Sequence, residues 1–148
     1  MNTPYFVLTN DFGTPEYDEI VALRTEVLRK PLGLEFTEEF LSKEYADVHF
    51  GCYANGSHEL LACAMLHVKT EGEARMKQVA VKPSLQGTGV GSFLVGQFEA
   101  YCKENGFRSI ALHARDTAVD FYLKLGYIKE GEEFEEVTIK HWAMRKSL

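Results

Sequence analysis

At 148 residues with 45% hydrophobic content, the chain is long enough to close one core and too short to divide readily, so one domain spanning residues 1–148 is expected. A formal net charge of −6 argues against a nucleic-acid partner held by a broad basic surface, and no apolar run approaches the ~20 residues of a membrane span. Cys52, Cys63 and Cys102 are odd in number and lack C-x-x-C spacing, which excludes a disulfide framework and indicates no metal site.

Met1-Asn2-Thr3-Pro4 lacks the basic stretch and apolar core of a secretory signal, so a cytoplasmic protein is the expectation. Tyr5-Phe6-Val7-Leu8 reads as a short strand, closed by a turn at Asn10-Asp11-Phe12-Gly13. Thr14 then suits an N-cap, with Pro15 at the first helical position and acidic residues in the opening turn. Ile20, Leu23, Val27 and Leu28 keep helical spacing up to Arg29-Lys30, and Pro31-Leu32-Gly33 ends the helix. A second short helix is predicted over 37–45. Residues 48–54 and 59–69 form an antiparallel hairpin about Asn55-Gly56, and residues 75–81 form the next strand.

That strand runs through Val79-Ala80-Val81 into Lys82-Pro83-Ser84-Leu85-Gln86-Gly87-Thr88-Gly89-Val90-Gly91-Ser92, a glycine-rich turn that opens a helix. Such a junction suits a phosphate, because tightly folded backbone aims consecutive N–H groups inward and the helix start adds unpaired donors and a positive dipole end. A nucleotide P-loop would close with Gly-Lys-Ser/Thr, but Gly91 is followed by Ser92-Phe93. The dinucleotide fingerprint G-x-G-x-x-G fails too, since Ser92 stands where its third glycine belongs. The helix carries Val90, Phe93, Leu94, Phe98, Tyr101 and Cys102 on one stripe and stops at Asn105-Gly106. A strand over 110–115, a helix from Ala118 and two C-terminal strands follow, giving the order β-α-α-β-β-β-α-β-α-β-β.

The pattern Gln-x-x-Gly-x-Gly, met by Gln86, Gly89 and Gly91, resembles the pyrophosphate loop of the GNAT superfamily of acyl-CoA-dependent N-acyltransferases. Ala118-x-x-Phe121-Tyr122 with Gly126-Tyr127 resembles that superfamily's later helix. Ile139-Lys140-His141 is similar to the C-terminal strand of a bacterial-type subgroup. The resemblance covers roughly residues 75–145 and implies an α/β GNAT fold: a mixed, mostly antiparallel six- to seven-stranded sheet flanked by four helices and splayed between its fourth and fifth strands.

The resemblance also implies acetyl-CoA as cofactor and a primary amine, on a small molecule or a peptide, as acceptor. The backbone of Val79, Ala80 and Val81 would pair with the pantetheine arm, and the amides of Gln86, Gly87, Thr88, Gly89, Val90, Gly91 and Ser92 would hold the pyrophosphate. Arg115 stands where the family often has a pantetheine-binding asparagine; phosphate, acceptor and plain surface are its alternatives. Lys77, Lys82, Arg115 and Lys124 are near these motifs and could add local positive charge. Tyr122 matches the tyrosine placed beside the cofactor sulfur, and the amide of Val79 leads as oxyanion donor by analogy.

The general base is open among a buried carboxylate, a histidine and a water chain. His141 is the candidate histidine for base and acceptor pocket: Val137, Ile139, His141 and Ala143 share one face by period-two alternation, so it is either packed and hydrogen-bonded or lining the cleft. Glu136 and His113 are candidate acceptor-pocket residues, with Glu136 also a catalytic candidate. The acidic run 130–136 is either solvated or attracts a cationic amine. Cys63 in an apolar strand and Cys102 near a helix C-terminus are poor nucleophiles, which favours direct attack in a ternary complex. A catalytically silent acyl-CoA sensor or assembly module is the alternative, and the C-terminal edge strands leave room for a homodimer.

Overall fold

The computed structural model describes residues 4–148; Met1, Asn2 and Thr3, part of the segment read for a signal, lie outside the described residues. Seven strands form one sheet: β1 (Tyr5–Asn10), β2 (Val48–Ala54), β3 (Leu60–Thr70), β4 (Glu73–Val81), β5 (Ser109–Arg115), β6 (Ile128–Glu136) and β7 (Ile139–Ser147). Their spatial order is β1-β2-β3-β4-β5-β7-β6, antiparallel except for the β4–β5 pair. Four α-helices flank the sheet: α1 (Pro15–Arg24), α2 (Glu38–Ser42), α3 (Val90–Glu104) and α4 (Val119–Lys124). Among the described residues no helix is long and apolar enough to cross a membrane.

The capping signals act as the sequence predicts. The Thr14 hydroxyl accepts from the Tyr17 amide at 3.2 Å, and Thr37 does the same for Phe40 at 3.1 Å. Beyond Arg24 the first helix departs from expectation. Residues Thr25–Arg29 form a π-helical turn and Lys30–Leu32 a 3-10 turn, ended by Gly33 in the left-handed region. The widened turn redirects the chain at Leu28 and Arg29, where it meets the cleft described below.

Burial divides the sheet into two faces. On one, Phe50, Met76, Ile110, Leu112 and Met144 pack beneath the Leu94 and Phe98 stripe of α3. On the other, Cys63 and Ala80 pack against Ile20 and Leu23 of α1. Both faces are therefore covered, which explains why the middle of β2, from His49 to Tyr53, is buried without alternation. A buried ion pair fixes α1 to the turn after α2: Arg24 donates twice to the Glu44 carboxylate, at 2.7 and 2.8 Å, and Tyr17 adds a hydroxyl donor at 2.8 Å.

One expectation about the last strand is corrected. Val137 does not continue its face; Val137 and Thr138, with φ of 52° and 62°, form the tight turn between β6 and β7. Two consecutive left-handed residues match the twist of a two-residue hairpin, and that geometry displaces Val137 from the strand. Ile139, His141 and Ala143 remain in β7.

Candidate active site in the splayed sheet

The β4–β5 ladder runs only from Glu73–Ser109 to Met76–Leu112. Beyond it β5 stays paired with β7 as far as Arg115–His141, while β4 stays with β3 as far as Val81–Ala62. The strands thus part at Lys77 and His113, leaving a cavity of about 410 Å³ whose walls include Val79, Ala114, Tyr122 and His141.

A bulge in β4 shapes one wall. Cys63 faces Ala80 whereas Met65 faces Lys77, so β4 carries one residue more than β3 across this step. Gln78 absorbs it with φ of 54°, a left-handed conformation that costs a non-glycine residue roughly 1–2 kcal/mol. Its carbonyl accepts the Cys63 thiol at 3.8 Å, which holds it toward β3. The bulge leaves Gln78 and Val79 without register partners on β3, and both residues line the cavity. Glutamine gives no sequence signal for a left-handed residue.

At the C-terminal end of β4, Gly87 and Gly89 adopt φ of 79° and 95°, and a Cβ at either position would meet nothing within 4 Å. Their positive φ, together with open space, makes an accessible concave turn. The Thr88 hydroxyl donates to the Leu85 carbonyl, and the Gln86 amide group reaches back to the Val81 carbonyl at 3.3 Å, so side chains of the loop brace it from behind. The first helical hydrogen bond of α3 runs from Phe93 to Gly89, which leaves the N–H groups of Val90, Gly91 and Ser92 without intrahelical acceptors. Gly91 has a different function: a Cβ there would approach the Phe121 ring to 3.3 Å, so its absence lets α3 press against α4.

That contact fixes Tyr122, whose ring packs edge-on against Phe121 and Tyr127 at 5.0 and 5.6 Å between centroids. Tyr122 is 6% exposed and lines the cavity; burial raises its phenol above the ordinary value, so it stays protonated. Lys82, read as a source of positive charge for the cofactor, is ion-paired with Glu59.

Across the cavity, Glu136 sits between two imidazoles, with Oε1 3.3 Å from His113 Nδ1 and Oε2 3.7 Å from His141 Nε2. Phe134 packs against both rings. His113 Nδ1 also receives Arg75 Nη2 at 2.6 Å, and since a guanidinium can only donate, that nitrogen carries no proton and the Glu136 contact is not a hydrogen bond. Burial and the Arg75 charge lower the His113 pKa, against the raising effect of Glu136, so the ring is neutral at pH 7. Of the acidic run, Glu130 pairs with Arg145 and Glu133 with Lys140, and only Glu136 reaches the cavity. Arg115, considered for the cofactor, donates to the Leu28 carbonyl at 2.9 Å on the α1 face, opposite the α3 side on which the glycine loop opens.

Residues 34–148 match the family described as the acetyltransferase (GNAT) domain. The chain belongs to the GNAT acetyltransferase family. Its sheet, splay and glycine turn are those of a GNAT fold, and solved GNAT-type structures superpose on nearly its whole length. An acyl-CoA N-acyltransferase from Pseudomonas aeruginosa matches with a TM-score of 0.78 at 21% identity, covering 96% of this chain and 97% of that one. A GNAT family acetyltransferase from Elizabethkingia anophelis, with acetyl-CoA bound, matches with a TM-score of 0.76 at 16% identity over 99% of this chain and 100% of that one. These likenesses, at low identity, concern the fold. Among curated sequences, the uncharacterized Bacillus subtilis protein YyaT is 33% identical over 75 residues, 51% of either chain, so the match spans about half of that relative.

For a GNAT member, the Gly89-to-Ser92 amides and the Tyr122 neighbourhood were visible in sequence because they are contiguous. Arg75 was not: no local pattern announces it, and only the splay brings it beside His113 on the cavity wall.

Proposed function

We propose that the protein transfers an acetyl group from acetyl-CoA to a primary amine by direct attack in a ternary complex. The observation that carries this is the parting of β4 from β5 beyond Met76, with Tyr122 on the cavity wall and the unpaired α3 amides at the strand's end. These fit the group: contiguous donors suit a diphosphate, and the freed edge of Val79, Ala80 and Val81 suits the amide-bearing pantetheine arm. When bound, coenzyme A supplies an activated acyl thioester.

The chain's own residues then have three tasks. The Val79 N–H, released from the ladder by the Gln78 bulge, donates to the developing oxyanion. Tyr122 donates a hydrogen bond from its phenolic O–H to the departing thiolate; burial keeps that proton in place through the neutral range. His141 takes the amine's proton. Its Nδ1–H is held by the Ile139 carbonyl, so Nε2 is the free acceptor, and Glu136 stabilises the imidazolium that results. Arg115 belongs with the acceptor rather than with the phosphates. His141 in its Ile-x-His strand also supports placing the chain in the bacterial-type subgroup.

An acyl-cysteine route is disfavoured by the thiols themselves. Burial pushes Cys52 up to about 11 and Cys63 and Cys102 up to about 12, so none is a thiolate at working pH. Initial-rate kinetics with acetyl-CoA and an amine test the proposal. Intersecting double-reciprocal lines are expected; parallel lines with an acetylated cysteine in the mass spectrum would refute it. Saturable acetyl-CoA binding without transfer to any amine would instead favour a silent acyl-CoA module.

A further inference from the structure

The wall of the cavity formed by the α1 face is strongly cationic in a protein whose formal net charge is −6. Arg29, Arg75, Lys77 and Arg115 line it, against a single carboxylate, Glu136. None of these four cations forms an ion pair with any described residue. Six cations outside the cavity, Arg24, Lys69, Lys82, Lys140, Arg145 and Lys146, each pair with a glutamate. Glu136 turns its two oxygens to His113 and His141, and its charge acts on Arg29, but one carboxylate leaves an excess of positive charge over the four cations. The Arg75 Nε is buried with no partner, and the Arg29 guanidinium makes no hydrogen bond among the described residues, being held over the Phe36 ring at 4.6 Å.

Partly buried cations that repel one another are costly unless something anionic joins them. Burial and the Arg115 charge both lower the Arg29 pKa, the mark of two guanidiniums crowding one space. The cofactor's phosphates do not answer this demand. Met76, Leu112 and Ala114 point into the α3 core, so by strand alternation Arg75, Lys77, His113 and Arg115 point to the α1 face, away from the glycine turn.

Resting on the transferase reading above, we propose that the acceptor amine also carries an anionic group, carboxylate or phosphate, which is bound by Arg29, Arg75 and Arg115. The same positive field disfavours an ammonium, so it helps deliver the amine in its neutral, nucleophilic form. An apolar groove of about 220 Å³, walled by Leu34, Phe36 and Phe40, adjoins the cavity through Arg29 and Val137 and receives the acceptor's apolar body.

The test uses the full chain, acetyl-CoA and matched acceptors: phenylalanine against phenylalaninamide, γ-aminobutyrate against its amide, and phosphoethanolamine against ethanolamine. At least one anionic member should exceed its neutral partner in kcat/KM by tenfold or more, and the pair that does so identifies carboxylate or phosphate. Arg29→Gln should raise KM for that anionic acceptor about tenfold or more, with a much smaller effect on its neutral partner and none on the KM for acetyl-CoA. Transfer at equal efficiency within every pair overturns the anionic acceptor and leaves the transferase reading standing. If nothing is acetylated, calorimetry of N-acetylphenylalanine and phosphoethanolamine against the coenzyme A complex decides. Binding of either, weakened tenfold by Arg29→Gln, supports the anion site, and absence of heat with both overturns it.

Discussion

His141 donates its Nδ1 proton to the Ile139 carbonyl, two residues back along β7, at 2.8 Å, and so turns Nε2 toward Glu136. A carbonyl cannot donate, so this bond fixes the tautomer of the neutral ring. Nitrogen-15 NMR of the free protein should find Nδ1 protonated and Nε2 bare. His141→Gln should lower kcat by about 100-fold, in the range of general base catalysis, with the KM for acetyl-CoA unchanged. Glu136→Gln should lower it less, since the carboxylate acts only through the imidazolium. Full turnover in both variants would remove the pair from the mechanism.

Tyr122→Phe separates chemistry from packing. The ring keeps its contacts with Phe121 and Tyr127 and only the hydroxyl is lost, so thermal stability should change little while kcat falls by about 100-fold. Because burial raises the phenol above its ordinary value, the wild-type rate should not fall through Tyr122 ionisation below about pH 10. A pH–rate profile checks this, and a Tyr122-dependent decline near neutrality would contradict the buried, protonated phenol.

The glycines of the turn should fail in different ways. Gly89→Ala forces a side chain into the left-handed region, costing roughly 1–2 kcal/mol, and should weaken coenzyme A binding. Gly91→Ala instead drives a methyl group toward Phe121, which is next to Tyr122, so it should lower kcat as well as stability, the latter by about 1–3 kcal/mol. Calorimetry with coenzyme A, alongside kcat for each variant, distinguishes the two effects.

The Arg24–Glu44 pair should govern acid stability. Burial alone would raise the Glu44 pKa, but hydrogen bonds and charge from Arg24, with the Tyr17 hydroxyl, outweigh it and hold the carboxyl below its usual range. A depressed folded pKa gives stability that is complete above the unfolded glutamate value of about 4.3 and lost as pH falls through the folded one. Denaturant midpoints should therefore drop below about pH 4 in the wild type. Glu44→Ala should cost about 3–5 kcal/mol at pH 7, because it strands Arg24 in the core, and should flatten this acid dependence.

Local chemistry is what made much of the fold legible. Thr14 followed by Pro15, the glycine turn and Asn105-Gly106 each specify a boundary through their own backbone preferences, and all three stand where the sequence puts them. The features that escaped are those in which tertiary demand overrides local preference. Gln78, Val137 and Thr138 take left-handed conformations that none of these residue types favours, and the π-helical turn at Thr25–Arg29 interrupts a regular helical pattern. The glycine turn proposed for the coenzyme was readable because its donors are contiguous in the chain. The arginine wall was not, because its members are dozens of residues apart and meet only where β4 leaves β5.

Calorimetric titration of the folded protein with coenzyme A is the most direct test of the central claim, that the freed β4 edge and the α3 amides form an acyl-carrier site. One saturable site per chain, weakened in Gly89→Ala, is the predicted result. No heat of binding with either coenzyme A or acetyl-CoA would contradict it.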